Sequence, residues 1–405
     1  MAVMKGLAWK TDQWYVSRYN NLIENLIPRD VFIIDCTLRE GEQQAGVVLS
    51  RREKIRLAHV LDEIGIPQLE VGMPAVSPEE EGNIRAIAKE GLKAKLIAVC
   101  RTIKEDIDKA EACGVWGVSC SLPIGELQIK YKLKWPEEKV IETAVQSTSY
   151  ARQKGFFVVL SPYDTTRTAP AFLETFLKTV IRDGWVDRVR LVDTVGGITP
   201  QGIGYLVNKM RGLTGKPIEV HCHNDFGLAT ANTLAALSAG AQVASTALNG
   251  MGERAGCAAT EEVAMALRIL YGRDMGLDPT KFYKASGLLQ KYSGVKLQRH
   301  KAVVGEGAFA QEAGLVVTGW KEFPFTAEPY LPELVGQRAS LLLGKKSGKD
   351  SIKVKLKELK LSASEKEIGE ILREVKKRSQ KVKEPIDEME FKEIVKKILM
   401  KGRKR

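Results

Sequence analysis

The chain has 405 residues, is 44 % hydrophobic and carries a formal charge of +12, enough apolar content for one large core with an appendage. No apolar run reaches the ~18 residues of a membrane span, and the opening MAVMKGLAWKTDQW lacks the continuous apolar stretch of a secretory signal. The charge is uneven. Residues 351–405 hold 18 Lys/Arg and 10 Asp/Glu, or +8 of the +12, which reads as a solvated helical face rather than a nucleic-acid patch.

In chain order, residues 1–27 form an N-terminal extension whose Trp9, Trp14, Tyr15 and Tyr19 are aromatic anchors for the main body or for a second subunit. Residues 28–275 then alternate strands with helices. The strand-like runs are Val31–Ile34, Gln68–Val71, Lys95–Val99, Gly117–Leu122, Phe156–Leu160, Arg188–Val192, Ile218–His221 and Gln242–Ala247. Helical spacing of apolar residues appears between them, as at Arg51–Ile64 and Pro170–Arg182. Eight strands with helical connections predict a (β/α)8 TIM barrel. An open doubly wound sheet would start with a Gly-rich strand–turn–helix, and the sequence has none. Glycines and prolines break up residues 276–350, a post-barrel subdomain containing the loop Gly-Lys-Lys-Ser-Gly at 344–348. Residues 351–405 are a basic helical region, with Ser364-Glu-Lys-Glu367 as a capping box. The six cysteines have no paired spacing. Four lie in or beside predicted strands, as reduced apolar residues of a cytoplasmic protein would.

Polar residues recur where these strands end: Arg101, Ser161, Asp193-Thr194, His221/His223/Asp225 and Asn249 to Arg254. In a barrel they converge on one rim. The first strand stops abruptly in Asp35, Thr37, Arg39, Glu40 and Glu42. On the seventh, His221 and His223 are two apart, so both imidazoles point to one face. A lone His-x-His is as often a structural pair as a metal pair. With Glu40 on another strand end, Glu40, His221 and His223 read as three ligands of one divalent cation, with Arg39 beside it. Such an open cation and an arginine are arranged to chelate a 2-oxo acid, polarise its carbonyl and stabilise the oxyanion formed on attack. Thr194 is placed to hydrogen-bond the acid's carboxylate, and Gln43, Ser161 and Arg101 to line its pocket. The glycine-rich Asn249–Gly256 is either a plain barrel loop or a mobile charged lid.

The stretches DCTLREGEQQAGV, EVGMPA, LVDTVGGITP, HCHNDFGLATANTLAA and NGMGERAG resemble the acyl-CoA-dependent 2-oxo acid condensing enzymes. These are the homocitrate, 2-isopropylmalate and citramalate synthases, whose barrel is shared with hydroxymethylglutaryl-CoA lyase and pyruvate carboxylase-type domains. The resemblance spans about residues 30–350. It implies a metal-dependent condensation of acetyl-CoA with a 2-oxo acid in a homodimer. Metal ligands fall on Glu40, His221 and His223, the substrate arginine on Arg39 and the carboxylate-binding threonine on Thr194. It leaves the metal open among Mg, Mn, Zn, Co and Fe. Three positions depart from the family pattern. A metal-shell asparagine is Cys257, either a thiolate ligand for a soft metal or a plain buried cysteine; a family carboxylate after strand five is Tyr163, and two histidines of the post-barrel segment are Gln311 and Val316. The base that enolises acetyl-CoA must then be another group, with Glu312 and Tyr163 as candidates and His300 behind them. A lyase or decarboxylase on the same barrel, which needs no such base, is the alternative, and a non-catalytic 2-oxo-acid-binding relative is a third reading.

Overall fold

The computed structural model describes residues 8–402, so the first seven residues of the N-terminal extension and the last three of the basic tail lie outside it. The chain divides into two compact units, Arg18–Leu297 and a second made of Trp9–Ser17 together with the chain from Gln298 onward.

The first unit is a closed barrel of parallel strands: β1 (Phe32–Asp35), β2 (Gln68–Gly72), β3 (Lys95–Arg101), β4 (Gly117–Pro123), β5 (Phe157–Tyr163), β6 (Arg188–Asp193), β7 (Ile218–Cys222) and β8 (Val243–Thr246), with β8 pairing back onto β1. All eight lie where the apolar runs predicted. Several extend further at their carboxyl ends, because ladder pairs such as Ser121↔Ser161 and Pro123↔Tyr163 continue after the apolar run stops. Polar residues are thereby carried into the sheet at the rim. The helix Arg51–Ile64 begins at a capping box of Ser50 and Glu53, ends at Gly65 (φ 97°) and buries Leu57, Ala58, Leu61 and Ile64 on the barrel. The two ends of this unit are tied together: Arg273 donates two hydrogen bonds to the Ile27 carbonyl (3.0 and 2.6 Å), and the Asn25 amide donates to the Tyr271 carbonyl.

The barrel interior is not purely apolar. Arg188 lies over the Phe32 and Phe157 rings, at 5.8 and 5.2 Å from their centroids, which marks the inner face of β1, β5 and β6. From there a row of charges climbs the barrel. Arg188 donates to Gln68 (2.9 Å) and pairs with Glu219 (2.8 Å), and Glu219 pairs with Arg190 (2.5 Å). Arg190 pairs with Glu70 and Glu70 with Arg39, both at 2.6 Å. Burial would push the Glu70 carboxyl up, but Arg190 and Arg39 outweigh it and hold it at about 2. Such rows are costly to break, since removing one partner strands a charge in low dielectric.

In the second unit the helices Lys349–Glu358, Glu365–Val382 and Glu388–Gly402 share a core including Ile352, Ile371, Val375, Phe391 and Val395. The predicted capping box at Ser364 and Glu367 is present. Trp9, Trp14 and Tyr15 of the N-terminal segment belong to this unit, whereas Tyr19 belongs to the first. Trp14 bridges Tyr330, and the Tyr15 N–H donates to the Pro329 carbonyl (2.9 Å).

Arg190→Met is expected to lower stability to urea by about 3–5 kcal/mol, because Glu70 and Glu219 lose a shared counter-ion. In acid, the folded Glu70 carboxyl titrates near 2, below its ordinary 4.5. Its contribution to stability is therefore complete above 4.5 and is lost as pH falls toward about 2. A pH series of urea midpoints should show this loss in the wild type and a smaller one in Glu70→Gln.

Candidate active site

β1 and β7 deliver three donor groups to one point. Among the described residues, Glu40, His221 and His223 each offer a ligand atom within 4.8 Å of the others, and all three are buried. The His223 Nε2 is 3.7 Å from Glu40 Oε1, the His221 Nε2 is 4.0 Å from Oε2, and the rings meet edge-on with centroids 5.0 Å apart. The hydrogen bonds orient both rings. His223 Nδ1 is 3.1 Å from the Gly256 carbonyl, which can only accept, so the proton sits on Nδ1 and the Nε2 lone pair faces inward. His221 Nδ1 faces the Ser245 hydroxyl at 3.2 Å, leaving its Nε2 buried without a hydrogen-bond partner. Burial, reinforced by His223, holds His221 at about 3, so it is a neutral ligand at neutral pH. Burial would raise the Glu40 carboxyl, but Arg39 and the two imidazoles hold it at about 2, ionised. One anion and two inward lone pairs fit a divalent cation with open positions.

Arg39 is clamped. Its Nε donates to Glu70 (2.6 Å), and its Nη1 donates to Glu40 and to Gln43 Oε1 (2.7 Å). Among the described residues the fork's other nitrogen has no hydrogen-bond partner. Asp35 and Glu42, clustered with Arg39 in the sequence, do other work. Asp35 accepts from the Thr37 N–H and the Thr260 hydroxyl, and Glu42 pairs with the buried Lys54. Strand alternation sends the side chain of Asp35 away from the barrel axis.

The loop after β8 is held in place rather than loose. Arg254 grips Asp225 through two bonds (2.8 and 3.0 Å) and donates to the Thr194 carbonyl at 2.7 Å. Gly256 adopts φ +84°, and a Cβ there would lie 2.0 Å from the Gly250 carbonyl, so only glycine presents its carbonyl to His223 this way. The Glu253 N–H donates to Glu40 Oε1 at 3.0 Å.

The other predicted residues are distributed as follows. Thr194 continues β6, and its hydroxyl oxygen accepts from the Asp164 N–H (2.7 Å), so its own proton is free to be donated. Ser161 is buried on the inner face of β5, opposite Ser121. Tyr163 ends β5 on the same face, and its phenol oxygen accepts from the Lys132 ammonium at 2.6 Å. Arg101 points to solvent, with 60 % of its side chain exposed and its guanidinium bound to Asp106. The Cys257 thiol lies outside the group of three ligand atoms, 3.8 Å from the Met251 and Ala258 carbonyls. Glu312 belongs to the second unit, where it accepts from the Lys346 N–H at 2.9 Å. Sequence reading overlooked Glu70, Glu219, Ser245 and Lys132. The two-residue period was the available signal for Glu219, which sits two before His221, and for the pair Arg188 and Arg190.

Comparison with known proteins matches the HMGL-like family over residues 30–289 and the homocitrate synthase post-HMGL domain-like family over residues 303–383. Homocitrate synthase AksA of Methanothermobacter thermautotrophicus is 42 % identical over 386 residues, 95 % of this chain and 98 % of that protein. The 2-isopropylmalate synthase of Methanocaldococcus jannaschii is 43 % identical over 83 % of this chain and 65 % of its own length. The (R)-citramalate synthase CimA of the same organism is 41 % identical over 85 % and 70 %. Among solved structures, the HMG-CoA lyase of Bacillus subtilis shares the fold with a TM-score of 0.61 at 18 % identity, covering 67 % of this chain and 96 % of the lyase.

Glu40→Gln, which removes the anion and keeps the shape, is expected to weaken divalent-cation binding at least tenfold. Metal content measured after dialysis against a graded chelator would show it, with the fold confirmed by circular dichroism. Retention equal to wild type would exclude Glu40 as a ligand.

Proposed function

This chain belongs to the HMGL-like family, in the company of the homocitrate and 2-isopropylmalate synthases, and from that premise we propose that it condenses acetyl-CoA with a 2-oxo acid, releasing CoA and a 2-hydroxy polycarboxylate. The observation that carries this reading is the extent of the match. The lyase structure covers 67 % of this chain, whereas the homocitrate synthase pairs along nearly the whole of both chains and the post-barrel unit has a family match of its own. A C–C lyase of the same barrel is the weaker reading.

A divalent cation held by Glu40, His221 and His223 would supply Lewis acidity to the keto oxygen of the 2-oxo acid. The protein's own groups do the rest. Arg39, fixed by Glu70 and Gln43, offers its remaining N–H groups to the oxygen on which charge develops. Thr194 donates its hydroxyl proton to the substrate carboxylate, and Ser161 lines the wall beneath it. Tyr163, on the inner face and bound by Lys132, is assigned as the group that would remove the methyl proton of acetyl-CoA, acting as a phenolate whose charge the Lys132 ammonium balances and becoming the phenol. Glu312 is the second candidate for that proton, and Cys257 is assigned a packing role against Cys36 and Ala247. Arg101, engaged by Asp106, is withdrawn from the substrate pocket in this reading.

We also place the protein in the cytoplasm as a homodimer. Its six cysteines are free and buried, as suits a reducing compartment, and among the described residues no helix is long and apolar enough to cross a membrane. The barrel unit also exposes Tyr19, Leu22, Ile23 and Leu26 together, a surface suited to a second copy.

Free-thiol release from acetyl-CoA, measured against 2-oxoglutarate, oxaloacetate, 2-oxoisovalerate and pyruvate, is expected to occur with one of these acids, to need a divalent cation and to stop on chelation. Arg39→Gln should reduce kcat by roughly 100–1,000-fold. Silence across the panel from metal-loaded protein would reject the condensation. Release of acetyl-CoA or pyruvate from a hydroxy-acyl substrate would establish the lyase.

A further inference from the structure

Lys54, on the helix Arg51–Ile64, is fully buried, and neither the candidate metal site nor the ion row of the barrel uses it. Lysine is rarely enclosed in this way, and a buried ammonium must be paired. Its Nζ meets two carboxylates, Glu42 Oε2 at 2.5 Å and Glu80 Oε2 at 2.6 Å, with Glu80 Oε1 at 2.8 Å. The two acids come from different corners of the rim. Glu42 lies in the turn Gly41–Gln43 that leaves β1, and Glu80 in the first turn of the helix Pro78–Ala88 that follows β2. The sequence is fitted to this junction. Gly72 ends β2, and a Cβ there would lie 2.2 Å from Glu80 Oε1, so a side chain at 72 would displace the carboxylate from Lys54.

What the ammonium holds together borders Arg39. Glu42 also accepts from the Leu49 N–H (2.9 Å), which closes residues 42–49 into a loop, and its neighbour Gln43 accepts from Arg39 Nη1 (2.7 Å). Between the two corners lies a cleft of about 360 Å³ whose lining includes Arg39, Gln43, Leu49, Gly72, Met73 and Glu80. It opens beside the guanidinium that binds Glu40. Without the ammonium, two carboxylates whose oxygens now lie within 2.6 Å of one nitrogen would face each other across a partly buried gap, and the corners would part. The metal-binding groups are anchored elsewhere: Glu40 by the Glu253 N–H, His221 by Ser245 and His223 by the Gly256 carbonyl.

We propose that Lys54 is a positioning residue for the 2-oxo acid. Its ammonium ties the turn after β1 to the corner after β2, and so sets the place of Gln43 and Arg39 and the width of the cleft beside them. The inference rests on the condensation reading and adds to it a group that acts through Glu42 without touching the substrate. A clamping arginine must be held within about 0.5 Å of its productive place, so a small parting of these corners is felt in acid binding. Cation retention, which depends on neither corner, should not respond.

The test is calorimetric titration of 2-oxoglutarate, oxaloacetate, 2-oxoisovalerate and pyruvate into the full chain loaded with a divalent cation, alongside KM and kcat for thiol release. Lys54→Met is expected to weaken the acid that wild type binds at least tenfold and to raise its KM by a similar factor. Its cation retention against a chelator and its circular dichroism should match wild type. Glu42→Gln, which keeps Lys54 paired with Glu80 and so spares the fold, should weaken the same acid severalfold. The triple variant Lys54→Met/Glu42→Gln/Glu80→Gln removes the repulsion and lets the two amides bond each other. It is expected to recover most of the lost affinity, which a role in packing alone would not allow. Unaltered acid affinity in Lys54→Met, or in Glu42→Gln should the lysine variant not fold, overturns the proposal. So does a triple variant no better than Lys54→Met, a Lys54→Met that loses the cation along with the acid, or a wild type that binds none of the four acids. The two readings fail separately. Thiol release with an acid KM that ignores both single variants removes this role and keeps the reaction. Lys54-dependent binding of an acid by a chain that releases no thiol keeps the role and removes the reaction.

Discussion

The rim of this barrel depends on charges that cannot be separated. Arg39 is held by Glu70, Glu70 is shared with Arg190, and Arg190 with Glu219, all inside the barrel where an unpartnered ion would be costly. A buried pair is a poor source of net stability, but it is a good source of position, because each guanidinium has few alternatives that leave its neighbours neutralised. Arg39 is thus held by its partners, and the same row reaches Glu40, one of the three buried groups that meet at one point. Pre-organisation of this kind lets a donor stabilise developing charge without moving at the moment of reaction.

Around that row, backbone groups complete the site. The Gly256 carbonyl chooses the tautomer of His223, the Glu253 N–H holds Glu40, and Arg254 ties the same loop to Asp225 and to the strand end carrying Thr194. One loop therefore touches His223, Glu40 and the Thr194 carbonyl at once. Two of the departures from the family pattern fall outside this set: Tyr163 ends β5, and Gln311 and Val316 are in the other unit. The third, Cys257, follows Gly256 on this same loop and bridges His223.

Much of this was legible in the sequence, for physical reasons that differ by element. The eight strands were visible because a strand buried on both sides must be an apolar run, and Val31–Ile34 or Ile218–His221 can be little else. His221, His223 and Glu40 were visible because charged and imidazole groups at strand ends have one rim to go to. The ion row escaped notice because Glu70, Arg188, Arg190 and Glu219 interrupt those apolar runs and read as imperfections, though they share the parity of the ligands above them. Arg101 was expected to line the substrate pocket. Its place at a strand end was right, but Asp106, five residues on, captures its guanidinium at the start of the next helix. The partner of the N-terminal aromatics lies more than 300 residues away, beyond the reach of any local pattern.

That last pairing gives the chain an order of events. Residues 9–17 precede the barrel but belong to a unit whose other described elements follow it, so their contacts with Pro329 and Tyr330 form only after the whole barrel has been synthesised. In an unfolded chain, closing the intervening ~280-residue loop would cost about 5 kcal/mol in chain entropy. A finished barrel removes part of that cost, since Arg273 and Asn25 already hold residues 25–27 against residues 271–273. The barrel thus serves as the folding template for the unit that begins before it and ends after it, and the second unit inherits its assembly rate from the first.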